Sequence, residues 1–154
     1  MGDVRQRSGR ARSLSRRLLM QALYQQQLTG QTVAELRNQY ASDKDFAAAD
    51  AEYFERLLMG VDGSRAALEE RLAALLDRPI GQLDPIERAV LLIGLFELSQ
   101  CMETPYRVVI NEGVELAKRF GATDGHKFVN AVLDRAARSD RAAEQAAGSR
   151  TPRG

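Results

Sequence analysis

Six arginines stand within the first 17 residues, Arg5, Arg7, Arg10, Arg12, Arg16 and Arg17, against a single acid, Asp3. Guanidinium groups pair with phosphate oxygens and stack on bases, so Arg10, Arg12, Arg16 and Arg17, at the start of a helical stretch, are candidates to hold a polyanion. Such contacts are strongly salt-dependent and weakly sequence-selective. A second cluster lies at 118–130. Gly121, Ala122 and Thr123 bring backbone close to the start of a helix, a geometry that suits phosphate, and Lys118 and Lys127 add charge beside it. Phe128 offers a ring for an unpaired base. Its helical spacing with Val132 and Ala136 equally marks a core position. Asp124 suits an N-cap or a base amino group better than a phosphate. His126 reads as an exposed polar residue, and Asn111 and Glu112 as structural residues early in a helix.

Enzyme chemistry finds little support. The single histidine, His126, argues against a multi-histidine metal site, and the single cysteine, Cys101, against a disulfide framework or a cysteine-based zinc site. No glycine-rich phosphate loop or nucleophile elbow is visible. The acid pairs Glu69–Glu70 and Glu112–Glu115 read as solvated helix faces. The expectation is a non-catalytic protein without cofactor or metal.

Those residues need elements to position them. The chain of 154 residues has room for one domain, and its 44% hydrophobic and 28% charged content is globular. Its net charge of +1 hides an asymmetry: after the basic head, 16 bases face 20 acids. No apolar run approaches the roughly 20 residues needed to span a bilayer, and the basic start lacks a secretory signal's apolar centre. A cytoplasmic protein without a membrane role is expected.

Alanine, leucine, arginine and glutamate abound and period-2 alternation is almost absent, so the chain reads as all-α. Helices are expected over about 13–28, after Thr32, from Asp50 with a weak point at Gly60–Gly63, from Asp84 to Leu98, over about 107–120, and from Thr123 or Asp124. Leu83-Asp-Pro-Ile-Glu87 is the clearest start signal, with Asp84 as cap, Pro85 in the first turn and Glu87 three after the cap. The run Ile86–Leu98 is apolar nearly all round and belongs at the centre of the core. Residues 1–9 read as a flexible basic arm, and 139–154 as a disordered tail.

Three blocks together resemble the NusB family of transcription antitermination proteins. They are the arginine-rich lead into Ala22-Leu23-Tyr24, the stretch Leu83–Leu98, and Pro105–Asp134 with its Val-Ile-Asn-Glu, Glu-Leu-Ala-Lys and Lys-Phe-Val-Asn-Ala-Val-Leu segments. The match runs in order over about residues 10–137. One departure is Ala131, where the family usually has glycine; alanine is the better helix former.

The resemblance implies two three-helix bundles packed crosswise, about seven helices in all, over residues 10–138. It implies a heterodimer with NusE, a small-subunit ribosomal protein, that binds single-stranded boxA RNA of ribosomal RNA leaders. It also implies action within an RNA polymerase antitermination complex. Arg10, Arg12, Arg16, Arg17, Lys118, Gly121, Asp124, Lys127 and Phe128 fall on the implied RNA surface, and Tyr24, Glu87 and Arg88 on the implied NusE surface. Self-association into a homodimer stays open, as does any role of Arg150 and Arg153. The competing expectation is a helical adaptor, or an accessory domain like the one preceding the catalytic part of a ribosomal RNA methyltransferase. The chain's end near residue 154 argues against the latter.

Overall fold

The computed structural model describes residues 2–150, and the side chains of residues 7–147. Its α-helices are α1 (Gly2–Thr29), α2 (Val33–Ala41), α3 (Ala51–Gly63), α4 (Arg65–Leu75), α5 (Pro85–Gln100), α6 (Tyr106–Phe120), α7 (Gly125–Asp140) and α8 (Ala142–Arg150). No strand occurs among the described residues.

Local chemistry accounts for most of the boundaries. Thr32 and Glu35 form a reciprocal capping box at the start of α2, and Asp50 accepts the Tyr53 amide at the start of α3 (3.0 Å). Asp84 accepts the Ile86 amide at 3.1 Å, with Pro85 in the first turn of α5. Glu87 takes no part in that cap; its carboxylate turns elsewhere, as described below.

Helix α5 is the axis of the molecule. Ala89 to Leu98 are all buried, and α5 packs against α1, α3, α4, α6 and α7. Around it, α1 groups with α2 and α3, and α6 with α7, giving the two expected bundles; α4 reaches both α5 and α7. The weak point expected over Gly60–Gly63 falls at the end of that range, and Gly60 itself stays helical. A Cβ there would meet the Phe96 ring at 2.1 Å, so the missing side chain is what lets α3 approach α5. The helical run breaks at Ser64, between α3 and α4.

The expected loss of order beyond about residue 140 does not hold for the residues described. Arg141 is 2% exposed and α8 follows it. The guanidinium donates to the backbone carbonyls of Glu97, Leu98, Cys101 and Thr104 at 2.8–3.1 Å, gathering the end of α5 and the turn after it; the Glu97 and Cys101 carbonyls also accept from the Cys101 and Thr104 amides. Glu144 accepts from Arg141 at 2.6 Å and from the Tyr106 amide at the start of α6 at 3.0 Å. At the other end α1 already begins at Gly2, so residues 2–9 continue its helix. The side chains of Arg5 and Arg150, and all of Arg153, lie outside the described residues.

Candidate nucleic-acid interface

Helical geometry divides the arginines of α1 among different environments. Arg12 and Arg16, four residues apart, share a face that meets α3, α5 and α6; Arg10 and Arg17, seven apart, share another. Arg16 is 3% exposed. Its Nε and Nη2 donate to both Glu97 oxygens at 2.8 and 2.9 Å, and Nη1 lies 3.5 Å from Glu112. The Tyr53 hydroxyl donates to the same Glu97 carboxylate. Burial alone would lower the Arg16 pKa, but Glu97 outweighs it and the value rises. Burial, followed by the Glu97 charge, pushes the Tyr53 phenol up. Arg16 was expected on the RNA surface; the structure corrects this, because the side chain is buried and its Nε and Nη2 are both committed to Glu97.

The other three remain accessible to different degrees. Arg12 stands 4.3 Å over the Tyr53 ring and 3.5 Å from Asp50. Arg17 pairs with Asp45 at 2.9 Å and is half-buried, while Arg10 is exposed. Arg10, Leu14 and Arg17 line a shallow groove with Glu115 and Arg119 of α6, about 240 Å³ in volume. Arg119, which no motif had singled out, thus joins the basic face of α1; its position in the run Lys118-Arg119 is the signal that could have found it.

The second cluster surrounds the α6–α7 turn. Lys118 and Lys127 are exposed, and Phe128 is half-buried against the core. Gly121 closes α6 by donating to Ala117 O at 2.9 Å. Asp124 occupies the N-cap position of α7 with φ +63°, but its carboxylate makes no capping hydrogen bond and lies 3.5 Å from Lys127 Nζ. The capping expectation therefore fails for its side chain, which faces outward. His126, expected exposed, is half-buried.

The anion-binding geometry of this turn is partly satisfied from within. Glu87 is 6% exposed, and the Ala122 amide donates to its Oε2 at 3.2 Å. Burial raises the Glu87 pKa, an effect that the Ala122 hydrogen bond partly offsets. A Cβ on Gly125 would stand 2.4 Å from Oε2, so glycine is required where the carboxylate crosses the start of α7. Glu87 was expected at a partner surface; instead it holds the α6–α7 turn. Its partner-side companions stay nearer the surface. Tyr24 is half-buried on α1, and Arg88 pairs with Glu69 at 2.8 Å at a groove that it lines with Gln26, Gln27 and Arg65. Gln27 donates to Pro85 O at 2.9 Å, tying the end of α1 to the start of α5.

Arg78, in the connector before α5, was also missed by the sequence reading. Its guanidinium carbon stands 4.8 Å from the Phe128 ring centroid. It belongs to no periodic pattern, so only the tertiary arrangement reveals it.

An all-helical body with exposed cations around one interhelical turn has the build of a helical binding module. No helix among the described residues is long and apolar enough to cross a membrane. The model of the NusB family matches residues 13–138. A transcription antitermination protein NusB of Alcanivorax borkumensis is 50% identical over 143 residues, covering 93% of this chain and 94% of the relative. A solved NusB of T. maritima superposes with a TM-score of 0.71 at 26% identity, covering 82% of this chain and 89% of that one. A chain from the crystal structure of antitermination factors NusB and NusE in complex with double-stranded RNA gives the same TM-score at 24% identity, covering 84% of this chain and 98% of that one. This chain belongs to the NusB family, whose members are non-catalytic transcription antitermination factors.

Proposed function

We propose that this chain works in the cytoplasm as a heterodimer with the ribosomal protein NusE. On this reading the pair binds boxA RNA in ribosomal RNA leader transcripts and helps RNA polymerase to transcribe through and the RNA to mature. The observation that carries this is the cation-and-aromatic rim of the α6–α7 turn: the exposed Lys118 and Lys127 with the half-buried Gly121 and Phe128, and the Asp124 carboxylate facing outward. Lysine ammonium groups suit the backbone, the Phe128 ring a splayed base, and Asp124 a base amino donor. Arg10 and Arg17, with Arg12 at their edge, extend the cationic surface along α1. Arg16 is assigned to the core.

Tyr24 and Arg88 suit the NusE contact, being side chains of the anchor type at the junction of α1 and α5. Glu87, the residue before Arg88, turns its carboxylate to the α6–α7 turn instead. The acid excess beyond residue 17 is complementary to a basic ribosomal protein.

The test is equilibrium binding of boxA-containing and scrambled single-stranded RNA, with and without purified NusE. Preference for boxA that sharpens when NusE is added is the expected outcome. Equal affinity for both RNAs in the presence of NusE would exclude the specific reading.

A further inference from the structure

Phe128 lies in the first turn of α7 with part of its ring against the core, and the Arg78 guanidinium carbon stands 4.8 Å from the ring centroid. That is cation–π distance. The arginine is held lightly: its Nε donates to the adjacent Asp77 at 3.3 Å, and its side chain is 47% exposed. Its backbone is better fixed. Pro79 follows, which disfavours helical backbone at residue 78, and Ile80, two residues on, packs against the core. A loosely tethered cation is thus carried on an anchored connector, directly over an aromatic ring. Lys127, 73% exposed, precedes Phe128 in sequence.

An exposed cation–π contact is weaker than the stacking of a nucleobase on an aromatic ring. A base reaching Phe128 therefore wins the ring from the guanidinium, which moves without leaving a buried charge unpaired. The same nucleotide brings a phosphate, for which guanidinium is the better-matched partner.

We propose that Arg78 and Phe128 form one nucleotide-binding unit: Arg78 covers the ring in the free protein, yields it to a base of single-stranded RNA, and then contacts that nucleotide's phosphate. This rests on the reading above that the rim binds single-stranded RNA. Asp77, 84% exposed, is the acceptor that Arg78 leaves on binding.

The full chain with NusE, a labelled boxA-like RNA, and the variants Arg78→Ala, Arg78→Lys, Phe128→Leu and the Arg78→Ala/Phe128→Leu double test it. Arg78→Ala should weaken binding about tenfold and lower the slope of log affinity against log salt by about 0.7. Arg78→Lys should keep the slope and recover part of the affinity. The double variant should lose less than the product of the single losses, because both residues serve one nucleotide. Melting temperatures within a degree or two of the parent's are expected for the Arg78 variants, given the exposure of that side chain. A parent protein that binds while Arg78→Ala matches its affinity and slope overturns this inference alone, as do strictly multiplicative losses. A parent protein that binds no single-stranded RNA overturns the underlying reading as well.

Discussion

A guanidinium at the surface of α1 and one beneath it differ in what their loss costs. Exposed pairs such as Lys127–Asp124 are worth at most about 1 kcal/mol, whereas breaking a buried pair such as Arg16–Glu97 costs about 3–5 kcal/mol by stranding the other charge. That difference assigns Arg16 to stability. Glu87 offers a test at the same scale. Its carboxyl pKa is raised in the folded protein, so folding carries a penalty that is full above the folded pKa and fades as pH falls through that value toward 4.5. Glu87→Gln keeps an oxygen for the Ala122 amide and removes the charge. It should melt higher than the parent near neutral pH, with the gap closing on acidification; a gap that widens toward acid would contradict the assignment. Residue types name candidates by their chemistry, but not the direction in which each side chain points. Arg12 and Arg16 look alike in sequence, and only the arrival of Glu97 from a distant helix separates them.

At the scale of elements, Arg141 and Glu144 clasp the start of α8 to the body. Arg141 closes the end of α5 and, through Glu144, the start of α6, although it lies beyond the family match, which ends at residue 138. Arg141→Ala leaves the Leu98 and Thr104 carbonyls without the guanidinium donor and should cost about 3 kcal/mol, lowering Tm by about 6–12 °C. Arg138→Ala removes only an exposed pair with Asp134 and should cost less than about 0.5 kcal/mol. Thermal unfolding of the two variants side by side decides the point, and equal shifts would refute the role given to Arg141. The periodic helices and their caps were legible in the sequence, because Thr32, Asp50 and Asp84 act within a few residues. Helix α8 was not: its alanine-rich stretch has no apolar stripe, and what places it is the polar clasp at Arg141. The packing role of Gly60 was illegible for a related reason, since its purpose lies in Phe96, across the core.

For the molecule as a whole, the near-neutral charge total conceals a basic face and an acidic remainder. Among the described residues, Arg10, Lys118 and Lys127 are exposed cations of the proposed RNA face, and Arg78 joins them. With roughly 0.7 of slope per phosphate contact on a single strand, four contacts give log affinity falling with log salt at a slope of about −3. Fluorescence anisotropy over a range of salt concentrations measures it, and a slope near zero would remove the electrostatic role of this face. The central place of α5 was readable from its unbroken apolar run, which needs partners on every side. The groove that Arg10 and Arg17 share with Arg119 of α6 was not readable, because it depends on how α1 and α6 meet across the chain.

The Arg16–Glu97 pair also has a history during synthesis. Its two halves are 81 residues apart, so at roughly 5–20 residues per second the arginine is made about 4–16 s before its carboxylate. Through that interval the nascent first helix carries a cation that the finished protein hides. The growing chain is therefore more basic along α1 than the mature one, and arrival of the fifth helix withdraws that charge from solution.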